Sequence, residues 1–358
     1  MARHESNLVV FDFYEESDID RNMGNMLLSN SFYSKIINSD EFQRLKQVSF
    51  LGAIDYLSPE TKSNRYIHSL DVAKLALFIS KQRNYDEEVQ DHLVVAALLH
   101  DIGHAPLSHS MEPSFFDEFG INHHVAGNRV IKEKEFSLKK ILEDQVSIDT
   151  VIDLVEQNSE EEFSDIFNSK INIDTIDGIQ KSLSFVNANL KYDKYSLARA
   201  SFIDEGDVQV EKLDSFWKAK DFVYKKVITS GVGAIADHIS REYFFDNVSR
   251  IDESYFFKKE SSLLGGKKPI FKHFSNKVRK LKQLSFDFDS THDLESINEI
   301  NLDVIERCYK VNKSIDTNNI KNLDEFISKR YECSKWSTKK TIYYTLCIDP
   351  NKKQYDLL

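Results

Sequence analysis

Leu98-Leu-His100-Asp101-Ile-Gly-His104-Ala-Pro-Leu-Ser-His109 closes an unbroken apolar run, residues 93–99, on a histidine–aspartate pair and then breaks it with Gly103 and Pro106. A run that short cannot cross a membrane, which takes about 20 residues, but it suits a helix buried on every side. The spacing predicts that helix over 87–101, followed by a loop over 103–113 that holds His104 and His109. Upstream, Ile67, Leu70, Ala73, Leu75, Ala76, Leu77 and Ile79 leave few polar positions, so 67–79 reads as a second buried helix, carrying His68 and Asp71. Burying such groups is costly unless they are paired or hold a metal. Taken alone, His68 reads as a satisfied core histidine. Two buried helices that lead together into a histidine-rich loop read as a site. Seven of the eleven histidines fall between His68 and His124, and clustered imidazole with carboxylate is the usual makeup of a metal or acid–base centre.

The remaining sequence frames that centre. Over 358 residues the formal charge is −11, which speaks against a broad nucleic-acid coat and leaves room only for a local basic surface. Only 11 glycines and 5 prolines predict a mostly α protein. Cys308, Cys333 and Cys347 cannot all pair internally, so a disulfide scaffold is excluded and a reducing compartment is expected. Residues 1–7 lack the apolar core of a signal peptide, no segment is long enough to span a membrane, and a cytoplasmic location is the expectation. Apolar spacing predicts further helices over 23–37, 41–51 with Asp40 as N-cap, 125–131, 138–142, 150–156, 173–185 and 212–245, and strands over 8–13 and 341–348. A change of character near 255 divides the chain into a core over 1–255 with an N-terminal extension, and a small α+β C-terminal region over 256–358. That region opens with a basic segment, 258–282, which could bind nucleic acid or an allosteric nucleotide, a solvated charged face being the plainer reading.

Arg65-Tyr-Ile-His68-Ser-Leu, joined to the stretch quoted first, resembles the HD-domain phosphohydrolases, and among them the deoxynucleoside triphosphate triphosphohydrolases. The likeness extends to Glu41-Phe-Gln-Arg-Leu45, to His124-Val-Ala-Gly127, similar to the family's His-Glu-x-Gly, and to Ile173-Asp174-Thr-Ile-Asp177, similar to the segment holding its last metal aspartate. It implies an HD-domain helical core in which His68, His100, Asp101 and Asp174 ligate a divalent metal ion; such mixed ligands do not separate Mn, Fe, Mg, Ni and Zn. It also implies that Arg65 holds substrate phosphate, that Asp101 and His104 are catalytic, and that His109 and His124 touch phosphates while Tyr224 touches the sugar. His104 would act as general acid toward the leaving oxygen or position water. The implied reaction converts a dNTP to deoxynucleoside plus triphosphate in a homo-oligomer, with nucleotide-pool control or antiviral defence as roles by analogy.

Three positions depart from the family pattern. Phe50 stands where a sugar-checking Gln is usual, and Gly178 and Ser182 stand where a Tyr and an acidic residue usually face the substrate. These departures favour an alternative, a phosphomonoesterase or phosphodiesterase acting on another nucleotide. A further alternative is a regulatory protein that binds nucleotide or nucleic acid without turnover.

Overall fold

The structure, a computed structural model, describes residues 18–58, 63–186, 192–203, 210–228 and 231–281. The strands expected over 8–13 and 341–348 and the three cysteines lie outside the described residues. The first helices are α1 (Asp18–Ser29), α2 (Ser31–Ile37), α3 (Asp40–Arg44), α4 (Arg65–Gln82), α5 (Glu87–Leu99), α6 (Ser108–Phe119), α7 (His123–Lys132) and α8 (Ser137–Leu142). After them come α9 (Ile148–Val155), α10 (Asp165–Asn168), α11 (Ile173–Phe185), α12 (Lys194–Phe202), α13 (Val210–Val223), α14 (Gly231–Asp246), α15 (Ser261–Leu264) and α16 (Phe274–Leu281). Among the described residues there is no sheet, and the mostly α expectation holds.

α5 starts where the Asp86 carboxylate accepts the Val89 amide at 2.9 Å, and every residue over 93–99 is fully buried. Each buried Leu or Val contributes about 1.5–3 kcal/mol, so a charge placed anywhere in that run would break the helix's packing. α4 lies against it, capped by Asn64, with Val72, Ala73, Leu75, Ala76 and Ile79 equally buried. α9 packs on the other side of α5 and α11 on α4, completing the first core. A second core joins the turn Gly52–Leu57 to α6, α14 and α16 through Ala53, Met111, Phe115, Phe244, Phe271 and Phe274. Glu260 ties the start of the basic segment into this body: it is buried and accepts the Ser49 amide at 2.5 Å, the Leu107 amide at 3.1 Å and the Tyr56 hydroxyl at 2.7 Å. Lys259, Lys267, Lys268 and Lys272 remain exposed.

Element boundaries depart from expectation where polar groups compete for the backbone. The helix expected over 23–37 divides because Asn30 caps α2, accepting the Phe32 and Tyr33 amides at 2.8 and 3.2 Å. Ser39, not Asp40, caps α3. The helix expected over 41–51 stops early because 48–50 pair instead with the start of α4, Arg65 N–H donating to the Val48 carbonyl at 2.9 Å and Phe50 N–H to that of Ser63 at 3.2 Å. The stretch 212–245 is interrupted by a π-helical turn, Tyr224–Ile228, ahead of the glycines at the start of α14. The loop expected over 103–113 is shorter, since α6 begins at Ser108 and takes Pro113 into its interior. Ser108 is held there by its hydroxyl, which donates to the Ser49 carbonyl at 2.6 Å.

Candidate metal centre

α4 places Arg65 and His68 three residues apart on one face, the end of α5 supplies His100 and Asp101, and α11 presents Asp174 and Asp177 on one face. His68 Nε2 lies 3.0 Å from Asp174 Oδ1, 3.2 Å from His100 Nε2 and 3.6 Å from Asp101 Oδ2, while His100 Nε2 lies 3.5 Å from Asp101 Oδ2. Ligands at neighbouring corners of an octahedral ion, each about 2.1 Å from it, stand about 3 Å apart, the spacing seen here. The other ring nitrogens fix the tautomers. His68 Nδ1–H donates to Asp177 Oδ2 at 2.7 Å, and His100 Nδ1–H to the Ala97 carbonyl at 2.8 Å. Both Nε2 atoms therefore converge with two carboxylates on one point, a donor set complementary to a divalent cation once His68 Nε2 has given up its proton. His68, His100 and Asp101 could hold a metal ion together, with Asp174 beside them, half exposed at the open edge.

Charge is balanced tightly around these groups. Burial favours the neutral acid at Asp101, but the Arg65 guanidinium, 2.8 Å away, and the neighbouring histidines hold its carboxyl well below the usual range. Burial likewise raises Asp174, yet its hydrogen bond with His68 brings it down to about 2. Burial opposes a proton on His68, but hydrogen bonding to Asp174 and Asp177 outweighs it and raises the pKa to about 9. Behind Asp177, Lys181 approaches to 2.9 Å and also pairs with Asp71 at 2.5 Å; Asp71 in turn pairs with Lys74 at 3.0 Å.

A second cluster adjoins the first. Asp101 Oδ1 accepts from His104 Nε2 at 3.1 Å, and the buried His104 ring stacks on His123, centroids 4.5 Å apart, and meets His109 edge-on at 4.6 Å. Glu112 joins them, accepting His123 Nδ1–H at 2.5 Å and His109 Nδ1–H at 3.3 Å. Two devices bring these parts together. Arg44 is buried with no carboxylate partner and donates instead to the carbonyls of Ile102 and His104 at 2.7 and 2.8 Å, pinning the loop after α5. Gly103 lets α7 approach, because a Cβ there would stand 2.0 Å from the His123 carbonyl oxygen.

The residues singled out from the sequence are not all placed alike. His68, His100, Asp101 and Asp174 come together. Arg65 is buried, and its fork is taken up by Asp101, the Phe50 carbonyl at 3.0 Å and Ser108 Oγ at 3.1 Å. His109 joins the second cluster from an exposed position, whereas His124 packs its ring on His123 and is itself exposed. Tyr224 is half-buried against the first core at the π-helical turn. Sequence reasoning missed Asp177, Glu112 and His123. The three-residue step from Asp174 to Asp177, matching that from His109 to Glu112, was the available signal. His92 shows the contrast: both its nitrogens serve backbone groups, Nδ1 donating to Glu88 and Nε2 accepting from Ser147, so it is structural. Phe50 packs its ring, tilted by 51°, against His68 with centroids 4.7 Å apart and faces Gly178, where a Cβ would lie 3.4 Å from the Phe50 ring. Ser182 is buried and donates to the Gly178 carbonyl within its own helix.

Among known proteins, the sequence pattern of the HD domain matches residues 65–190. An uncharacterized protein of Methanocaldococcus jannaschii is 39% identical over 98 residues, which is 27% of this chain and 20% of that protein. One from Mycoplasma genitalium is 24% identical over 67% of this chain and 62% of its own length. The human deoxynucleoside triphosphate triphosphohydrolase is 38% identical over 88 residues, 23% of this chain and 14% of that enzyme. The chain thus spans less than two thirds of each of these relatives. A hypothetical protein from Aquifex aeolicus shares the fold, with a TM-score of 0.64, 21% identity, and coverage of 78% of this chain and 82% of that one. Residues 65–190 of this chain thus match the HD domain, and His68, His100, Asp101 and Asp174, which converge at the site, all lie within that match.

Proposed function

We propose that this chain hydrolyses a nucleoside triphosphate, with a dNTP as the substrate class and water attacking the α-phosphorus so that the P–O5′ bond breaks, the deoxynucleoside departs with a protonated O5′, and triphosphate is the other product. The observation that carries the reading is the convergence of His68, His100, Asp101 and Asp174 beside the His104, His109, Glu112 and His123 cluster. A divalent ion bound at the first group supplies Lewis acidity and a water of lowered pKa. Arg65 holds Asp101 in place and adds fixed positive potential. His104 spends its Nε2–H on Asp101, and burial and Arg65 keep its pKa well below the usual value; it therefore positions Asp101 and water, and is not the proton donor. His109, open to solvent and steadied by Glu112, faces the polyphosphate. The partial likeness to dNTP triphosphohydrolases supports this substrate class.

The pairing of Phe50 with Gly178 favours a second reading, hydrolysis of a phosphomonoester or phosphodiester in another nucleotide, because it changes the wall beside His68. Incubating metal-loaded protein with each dNTP and rNTP, with nucleoside monophosphates and with cyclic nucleotides, and identifying the products separates the two. Triphosphate from a dNTP supports the first reading; orthophosphate from a monophosphate, or a monophosphate from a cyclic nucleotide, supports the second; no turnover of any of them sinks both.

A further inference from the structure

We propose that Glu260 is a positioning residue for the metal centre: from the start of the basic segment it sets the Leu107–Ser108 turn, and through that turn the Arg65 guanidinium that aims one oxygen of Asp101 at the cation position. The path is continuous in hydrogen bonds. Glu260 Oε1 accepts the Ser49 and Leu107 amides at 2.5 and 3.1 Å, and Oε2 accepts the Ser49 and Tyr56 hydroxyls at 2.9 and 2.7 Å. One carboxylate therefore ties two distant stretches of backbone together. The Ser49 carbonyl accepts Ser108 Oγ–H at 2.6 Å, which leaves the lone pairs of that hydroxyl for Arg65 Nε–H at 3.1 Å. Arg65 Nη2 donates to the carbonyl of Phe50, next to Ser49, at 3.0 Å. The remaining arm, Nη1, donates to Asp101 Oδ2 at 2.8 Å, the oxygen that stands 3.6 Å from His68 Nε2 and 3.5 Å from His100 Nε2. Two arms of the fork thus rest on backbone that Glu260 holds, and the third on the oxygen facing the cation.

The turn itself shows why an outside clamp is present. Leu107 and Ser108 are consecutive non-glycine residues in the left-handed region, with φ of 61° and 43°. Such backbone persists only where its surroundings over-determine it, and it concentrates at functional sites. Leu107 is also the N-cap of α6 and offers that helix no side-chain acceptor, while its own amide is taken by a residue 153 positions later. Glu260 is 7% exposed, and among the described residues its partners are neutral donors and no cation pairs with it. Burying a carboxylate without a counter-charge is costly, and the cost falls where the segment touches the loop leading out of the centre. A second link joins the same two stretches: Arg44 Nη1 donates both to the Lys258 carbonyl at 3.3 Å and to the His104 carbonyl at 2.8 Å.

Mn(II) affinity of the full chain, read by competition with a chelator at one pH and well below the melting temperature, tests this role. Glu260→Ala is expected to weaken binding about tenfold, the low end of what losing a residue behind a metal ligand costs. In an Arg65→Ala background, where the path is already cut, the same change is expected to add less than about a twofold loss, because the two residues act in series on one oxygen. Tyr56→Phe removes one of the four donors to Glu260 and neither backbone clamp; it is expected to lower the melting temperature and keep wild-type affinity. Wild-type affinity in Glu260→Ala, fully additive losses in the double variant, or an equal loss in Tyr56→Phe would each overturn the role. Should Glu260→Ala fail to fold, Ser108→Ala cuts the path between the turn and Arg65: about a tenfold loss is expected there too, and wild-type affinity overturns the role. The effect on turnover rests on the phosphohydrolase reading, whereas the effect on affinity does not. Weakened Mn(II) binding in Glu260→Ala, with no nucleotide hydrolysed by wild type, would sink the proposed function and leave the role of Glu260 standing.

Discussion

Asp177 never touches the metal position, yet its replacement by Asn is the most informative single change at this centre. Its carboxylate holds His68 Nδ1–H at 2.7 Å, both groups being buried, and so fixes which nitrogen faces the cation and raises the basicity of Nε2. Removing such a partner costs 10- to 100-fold in metal affinity, or about 1.4–2.7 kcal/mol. A second effect has the opposite sign. With its pKa at about 9, metal-free His68 is protonated at pH 7, and an incoming ion must expel that proton, which lowers apparent affinity at pH 7 by about 100-fold relative to the fully deprotonated side chain. Asn removes one of the three carboxylates, Asp174, Asp177 and Asp101, that raise this pKa, so the variant competes less with protons. Wild-type affinity should therefore climb about tenfold per pH unit from 6.5 and level off near 9, while Asp177→Asn levels off earlier and lower. The gap is the full 10- to 100-fold at pH 9.5 and narrower at pH 6.5. Lys181 keeps Asp71 as a partner, so no buried charge is orphaned, and the variant should fold. Competition of Mn(II) against a chelator, repeated from pH 6.5 to 9.5, reads both quantities. Equal affinity at pH 9.5 together with an unchanged levelling point would refute the reasoning.

Metal-free protein should lose stability as pH rises. The folded pKa of His68 lies above its unfolded value of 6.5, so its contribution is complete below 6.5 and gone above about 9. The loss is on the order of 3 kcal/mol, and urea denaturation of stripped and metal-loaded protein at pH 6.5 and 9 should show it in the former alone. Gly103→Ala should destabilise by about 1–3 kcal/mol and part His123 from Glu112, since the new Cβ meets backbone and cannot move aside; a melting temperature equal to wild type would contradict this. Gly178→Ala should be tolerated and add about 0.5–1 kcal/mol of helix stability, because its Cβ meets the Phe50 ring at ordinary contact distance. Gly178→Leu should fail by thermal melting unless Phe50→Ala accompanies it, and failure of that rescue would show that the two do not share one space.

How far the sequence discloses this centre follows from the range of the forces involved. The burial of 93–99 is written in an unbroken apolar run, and the end of that run is where His100 and Asp101 stand, so a local pattern places them without knowledge of the fold. Asp174 sits 73 residues beyond Asp101, and only the packing of α11 on α4 brings it within 3.0 Å of His68. No periodicity in α11 separates Asp174 from a solvated acidic residue; half its side chain is in fact exposed. The supporting residues are hidden for a different reason. Asp177, Glu112, Arg44 and Glu260 read as ordinary charges in a chain with 58 acidic side chains, and each becomes specific only by meeting a partner across the fold: His68 for Asp177, His123 for Glu112, the loop carbonyls for Arg44, the Ser49 and Leu107 amides for Glu260. Glu260 is the sharpest case, because the sequence assigns its segment to a charged outer face, whereas it is an anchor of the loop that leads into α6. Net charge misleads here as well. A total of −11 counts the histidines as neutral, yet the region that would meet a phosphate is the one where Arg65, the imidazoles and any bound cation gather. Phosphate binding in such a chain is a property of a few convergent groups, and its acidic remainder is free to repel polyanions everywhere else.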